Sequence, residues 1–98
     1  MEVVFADPAL ARLESDAYFT AGFDPGVVKA YRKRVAFIRA AADVRDFYNM
    51  KSLHYEKLKG DREGQHSMRL NDRWRLILEL RTEASGKTVV IVSIVDYH

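Results

Sequence analysis

The sequence contains no cysteine, which excludes a disulfide framework, a thiolate zinc site and a thiol nucleophile together. Histidine is scarce: His54, His66 and His98 stand in no metal-ligand spacing, so no bound metal is expected. No apolar stretch approaches the roughly 20 residues that span a bilayer. Met1-Glu2-Val3-Val4-Phe5 carries neither the basic flank nor the cleavable apolar region of a signal peptide. A soluble cytoplasmic protein without membrane contact is the expectation. Also missing are a glycine-rich phosphate loop, a Ser-His-Asp arrangement at meaningful spacing and a paired-carboxylate signature. No cofactor is expected.

What is present suits one small domain, 1–98, with a single modest core. Hydrophobic residues make up 48% and charged residues 31%, which excludes a disordered chain. The net charge of +2 hides an asymmetry. Residues 1–24 carry a balance of −4 and the remainder +6; the stretch 29–45 alone, with Lys29, Arg32, Lys33, Arg34, Arg39 and Arg45 against Asp43, holds +5. Such a distribution allows an anionic partner, either nucleic acid or an acidic protein segment.

Met1 to Phe5 is apolar and β-prone. Asp7-Pro8 then supplies an N-cap followed by proline at the first helical position. A short helix with Leu10 and Leu13 inward should follow, ending near Ala21-Gly22. Asp24-Pro25 repeats the signal, and behind it Val28, Tyr31, Val35, Ile38 and Ala42 recur at helical intervals over 25–42. Asp43 caps a further short turn with Val44 and Phe47. Gly60-Asp61 and Glu63-Gly64 mark a loop, Gln65 to Leu70 reads as a strand, and Asn71-Asp72 suits a tight turn because both residues tolerate positive φ. From Arg73 to Arg81, Trp74, Leu76, Leu78 and Leu80 alternate with Arg73, Arg75, Ile77, Glu79 and Arg81. A loop over 82–87 leads to the apolar run 88–95, continuous enough for a strand covered on both faces. The expected fold is α+β: an N-terminal strand, two helices, then three hairpin-linked strands in a twisted antiparallel sheet with the helices on one face.

Asp96-Tyr97-His98 follows that last strand directly, so a carboxylate, a phenol and an imidazole are held at the end of a core element. Upstream, the open sheet face should expose Arg73 and Arg75, with Arg69 one hairpin away and Lys57, Lys59 and Arg62 in the preceding loop. Together these cations suit an RNA backbone and can stabilise a phosphorane-like transition state without a metal. Tyr97 and His98 are then placed to stack on a base or exchange a proton. His66 is expected to be a hydrogen-bonded structural residue, on the face opposite Ser67. Trp74, alternating with leucines, belongs to the core.

Leu58-Lys59-Gly60-Asp61-Arg62-Glu63-Gly64, Ser67-Met68-Arg69-Leu70-Asn71-Asp72-Arg73-Trp74-Arg75 and Asp96-Tyr97-His98 together resemble the plasmid-maintenance killer toxins, HigB-like members of the RelE/ParE superfamily. By length and element order the resemblance runs through the whole chain; its specific part is 58–75 and 96–98. It implies a RelE-like fold and a ribosome-dependent mRNA endonuclease of a type II toxin–antitoxin system. It further implies a helix-turn-helix, HigA-like antitoxin, with operator DNA met only through the toxin–antitoxin complex. Carried over by position, it points to Lys59, Asn71, Arg75, Asp96, Tyr97 and His98, the basic residue of the loop being Lys59 or Lys57.

In that chemistry Lys59 and Arg75 neutralise phosphate charge. His98, with an unperturbed pKa of about 6.5, transfers a proton, Asp96 orients it or acts as base, and Tyr97 stacks on or hydrogen-bonds a nucleotide. Lys57, Arg62, Arg69, Asn71 and Arg73 are RNA-binding candidates; Lys29, Arg32, Lys33 and Arg39 on the long helix are candidates for docking a ribosome or an antitoxin. Two other readings compete: a ParE-like toxin that binds a protein target such as DNA gyrase, and a non-catalytic interaction module.

Overall fold

Both Asp-Pro pairs start helices, as a proline at the first helical position favours. In the computed structural model, which describes residues 1–84 and 86–96, strand β1 (Glu2–Phe5) leads into α1 (Pro8–Ser15), where the Asp7 carboxylate accepts the Ala9 N–H at 2.8 Å. Helix α1 stops at Ser15, earlier than the expected end near Ala21-Gly22. The chain turns there because Asp16 accepts the Tyr18 N–H instead of continuing the helix. Helix α2 (Pro25–Ala40) buries Val28, Tyr31, Val35 and Ile38 at the expected intervals. It ends two residues early, so Ala41 takes the buried place assigned to Ala42. The Met1 ammonium closes that helix end, donating to the carbonyls of Ile38, Arg39 and Ala41 at 3.2, 2.8 and 2.7 Å. Short α3 (Arg45–Asn49) buries Phe47.

The remaining strands are β2 (Glu56–Lys57), β3 (Gln65–Arg69), β4 (Trp74–Glu83) and β5 (Gly86–Asp96). The hairpins β3–β4 and β4–β5 are antiparallel as expected. The whole sheet is mixed, in the order β1-β5-β4-β3-β2, because β1 runs parallel to β5 along its free edge. Burial selects that partner: Val3 opposite Val89 and Phe5 opposite Ile91 complete the apolar face under the helices. The β4–β5 ladder runs on to Glu83 opposite Gly86, so both strands enter the segment expected as loop. Its register skips Val92 between Ile77–Ser93 and Leu78–Ile91, a bulge that adds local twist and bend. No helix among the described residues is long and apolar enough to cross a membrane.

Candidate functional site

Cross-strand partners point to the same side of a sheet, so the registers sort the strand residues into two faces. Met68, Leu76, Leu78, Val89 and Ile91 face the helices. The other face carries three rows across β3, β4 and β5. Arg69, Arg75 and Val95 lie nearest the β3–β4 turn; Ser67, Ile77 and Ser93 form the middle row; Gln65, Glu79 and Val90 form the third.

Arg69 and Arg75 are direct cross-strand neighbours of like charge, which destabilises a sheet unless anions offset it. Both are half-buried. Arg69 forms an ion pair with Asp72 across the turn, and Arg75 reaches the Asn71 carbonyl at 3.5 Å. From α2, Arg34 donates to the Arg69 carbonyl at 2.9 Å; burial, and then the Arg69 charge, lower its pKa. In the third row, Arg62 donates to the Gln65 side chain at 3.0 Å and Gln65 passes a hydrogen bond to Glu79 at 3.2 Å. Arg62 from the loop therefore reaches this face at the Gln65 row, two rows from Arg69 and Arg75.

The middle row escapes sequence reasoning. Ser67 and Ile77 are enclosed although they point away from the helices. The Oγ atoms of Ser67 and Ser93 are buried with no hydrogen-bond partner among the described residues. A serine in an alternating strand looks solvent-facing, and only the registers bring these two to either side of Ile77.

At the end of β5, Asp96 lies opposite Trp74, while Arg75 lies opposite Val95. Asp96 and Arg75 therefore leave the sheet on opposite sides. Arg73 binds the Asp96 carboxylate through Nε and Nη2, at 2.8 and 2.6 Å, and that hydrogen bond raises the Arg73 pKa. The same guanidinium lies 5.7 Å from the Trp74 ring, and Trp74 packs edge-on against Phe23 at 5.5 Å, joining the core as its alternation requires. Tyr97 and His98, which complete the expected catalytic set, lie outside the described residues.

The remaining candidates separate further. Lys57 pairs with His66 in the β2–β3 ladder, on the side opposite Arg69 and Arg75. Exposed Lys59 lines a cavity inside the β2–β3 connection. Asn71 has no positive φ; its Oδ1 accepts the N–H groups of Arg73 and Trp74 at 2.9 and 2.8 Å, so the turn is held by that side chain. The expected cationic face of α2 is interrupted. Arg32 turns inward to the carbonyls of Leu13, Asp16 and Phe19 at 2.9, 2.9 and 3.2 Å, tying the end of α1 and its following loop to α2. Arg39 holds Glu14 bidentately at 2.7 and 2.8 Å. Lys29 and Lys33 are exposed. His54 is exposed in a left-handed conformation that ends a turn of 3-10 helix. His66 is hydrogen-bonded to Tyr55 at 2.7 Å. Among the described residues no group of three or more His, Asp or Glu could hold a metal ion.

Three solved toxin structures share this arrangement of elements. The YoeB/ParE toxin from Agrobacterium tumefaciens matches with a TM-score of 0.61 and 17% identity, covering 100% of each chain. The YoeB–YefM complex from Staphylococcus aureus matches with a TM-score of 0.59 and 21% identity, over 100% of this chain and 97% of that one. YafQ from E. coli strain BL21(DE3) gives 0.58 and 10% identity, over 97% and 91%. No curated protein is significantly similar in sequence. The sequence model of one family, described as the RelE-like toxin of the type II toxin–antitoxin system HigB, matches residues 3–98. The chain thus belongs to the HigB-like, RelE-type toxins of type II toxin–antitoxin systems.

Proposed function

We propose that this toxin is a ribosome-dependent mRNA endonuclease, with the RNA 2′-hydroxyl as nucleophile and no metal required. The observation that carries the reading is the Arg69–Arg75 pair on the sheet face away from the helices, with Arg62 held at Gln65 two rows further along that face. Two guanidinium groups side by side suit the paired oxygens of a phosphodiester.

The reaction needs little more from the protein than charge and proton transfer. The 2′-oxygen loses its proton and bonds to phosphorus; the bond from phosphorus to the 5′-oxygen breaks, and that oxygen takes a proton. The products are a 2′,3′-cyclic phosphate and a 5′-hydroxyl. Arg75 and Lys59 neutralise the charge that grows on the phosphoryl oxygens. His98 transfers a proton and Tyr97 stacks on or hydrogen-bonds a nucleotide; Asp96, held by Arg73 on the side of the sheet opposite Arg75, orients His98 rather than serving as base. Arg69, Arg62, Lys57, Asn71 and Arg73 hold the RNA, Asn71 also by fixing the turn. The partner that silences the toxin is a HigA-like helix-turn-helix antitoxin, through which the complex reaches operator DNA.

Purified protein, incubated with a reporter mRNA on translating ribosomes and in their absence, tests the reading. Cleavage only with ribosomes is expected. Intact mRNA in both reactions, from folded protein free of antitoxin, would overturn it; gyrase inhibition by the same protein would hand the chain to the ParE-like alternative.

A further inference from the structure

The corner where β2 turns into β3 holds a cavity whose histidine has no role in the reaction above. It lies between Gly60 and Gly64, both at positive φ (67° and 90°), and is lined by Lys57, Lys59, Glu63 and His66. Gln65 also lines it, and Gln65 is the residue that links Arg62 to Glu79 on the opposite face. Through Gln65 the cavity meets the Glu79 row of the opposite face, two rows along β3 from Arg69 and Arg75.

His66 is fixed by its neighbours. Its ring stacks on Tyr55, with centroids 5.2 Å apart and 19° between planes, and its Nδ1 lies 2.7 Å from the Tyr55 hydroxyl. Tyr55 is itself buried, held edge-on by Phe47 at 5.2 Å and Tyr48 at 4.9 Å. Among the described residues the Tyr55 hydroxyl has no second partner, and an unused buried donor is costly. The hydroxyl therefore donates, Nδ1 accepts, and a neutral ring with an accepting Nδ1 carries its proton on Nε2. Burial, and then the Lys57 charge, lower the His66 pKa, which keeps the ring neutral at pH 7. What remains for a ligand is that N–H, on a ring that lines the same cavity as Lys57 and Lys59. Lys57, Lys59 and the exposed rim residue Glu63 form no ion pair among the described residues.

We infer that His66, with Lys57 and Lys59, forms a phosphate subsite for the RNA backbone, so that the bound strand passes around the β2 edge between this corner and the Arg69–Arg75 face. The inference rests on the endonuclease reading. It adds His66, which sequence alone reads as structural, and sets it with Lys57 on a phosphate next to the one that Arg75 and Lys59 neutralise, Lys59 bridging the two. RNA is favoured over a protein carboxylate because its backbone repeats the charge: a strand leaving this corner past Arg62 at Gln65 has further cations at Arg69 and Arg75 two rows on.

A short single-stranded RNA with 2′-O-methyl groups, which binds but supplies no attacking hydroxyl, tests the subsite. In the wild-type protein the His66 Nε2–H resonance should shift on saturation while Nδ1 keeps its accepting character. His66→Phe should weaken binding roughly tenfold, the loss of one hydrogen bond to a charged group, and His66→Gln, which restores an N–H donor, should recover most of it. Lys57→Gln should lower the slope of log affinity against log salt by about 0.7, one phosphate of a single strand. An unmoved wild-type His66 resonance with RNA bound, or equal affinity of a folded His66→Phe variant, would overturn the subsite. So would a shift produced by an acidic antitoxin peptide and not by RNA. If RNA moves His66 but ribosomal mRNA stays intact, the subsite stands and the endonuclease reading falls.

Discussion

The two faces of the same three strands carry opposite chemistry. Towards the helices, Met68, Leu76, Leu78, Val89 and Ile91 are fully enclosed and wholly apolar. Away from them, one residue along each strand, stand Arg69, Arg75, Gln65 and Glu79, about a middle row of enclosed Ile77 and two serines that have no partner among the described residues. Because side chains alternate along a strand, folding energy and ligand contact are divided at single-residue spacing. Substitutions one position apart should therefore fail in different ways: one by unfolding the protein, the next by disabling a folded one.

The largest effect is expected on the apolar face. Leu78 is completely buried at the centre of the sheet, and Leu78→Ala should cost about 2–5 kcal/mol of folding free energy through lost transfer energy and a residual cavity. Urea unfolding checks this. A loss below about 1 kcal/mol would mean that the core collapses into the space and that the two faces are less distinct than their burial suggests.

Arg75→Ala should reverse the pattern. Cleavage on the ribosome should fall by about 2–4 kcal/mol in activation free energy, the loss of one preorganised transition-state donor, while stability changes by less than about 0.5 kcal/mol. Relief of the like-charge contact with Arg69 even favours the folded variant slightly. Arg75→Lys should rescue only partly, because a point charge replaces a planar fork. Wild-type cleavage by the alanine variant would return Arg75 to an ordinary solvated charge.

This division was legible where a period is visible. The spacing of Val28, Tyr31, Val35 and Ile38 identified the buried stripe of α2, and the alternation over Trp74 to Arg81 identified both faces of β4. The parallel docking of β1 on β5 left no local trace, since four residues show no direction until the core selects their partner. Charge was the weaker guide. Arg32 and Arg39 read as part of a cationic surface because sequence does not reveal which carbonyls a helix end leaves open, or that Glu14 stands opposite. Sequence alone groups Lys57 with Arg75, because a two-residue strand is too short to show which way it faces. The bond between Tyr55 and His66 was hidden for the same reason.

The serines offer a smaller and opposite effect. The Ser67 hydroxyl is enclosed without a partner among the described residues, and an unpaired buried polar group costs about 1–3 kcal/mol. Ser67→Ala should therefore raise stability, by about 1 kcal/mol, on the face where substitutions are otherwise expected to change binding alone. Thermal or urea unfolding decides it. A destabilised variant would show that the hydroxyl is bonded to an enclosed water in solution, and the middle row would then resemble an ordinary satisfied interior.

The smallest effect is on pH dependence, and it probes the edge where the two faces meet. Burial, then Lys57, hold the folded-state pKa of His66 below its ordinary value of 6.5. The unfolded chain therefore binds the His66 proton at a higher pH than the folded one does. Above pH 6.5 both states are neutral at this residue and its contribution is fully present; as pH falls through 6.5 towards the lower folded value, protons favour the unfolded state and stability declines. Because the ring is half-exposed, solvent screening keeps the change modest. Urea unfolding at pH 7.5 and 5.5, for wild type and His66→Gln, isolates the contribution. The wild type should lose more stability on acidification than the variant. Equal losses would mean that His66 titrates as in the unfolded chain, with burial and the Lys57 charge too weak to hold the ring neutral.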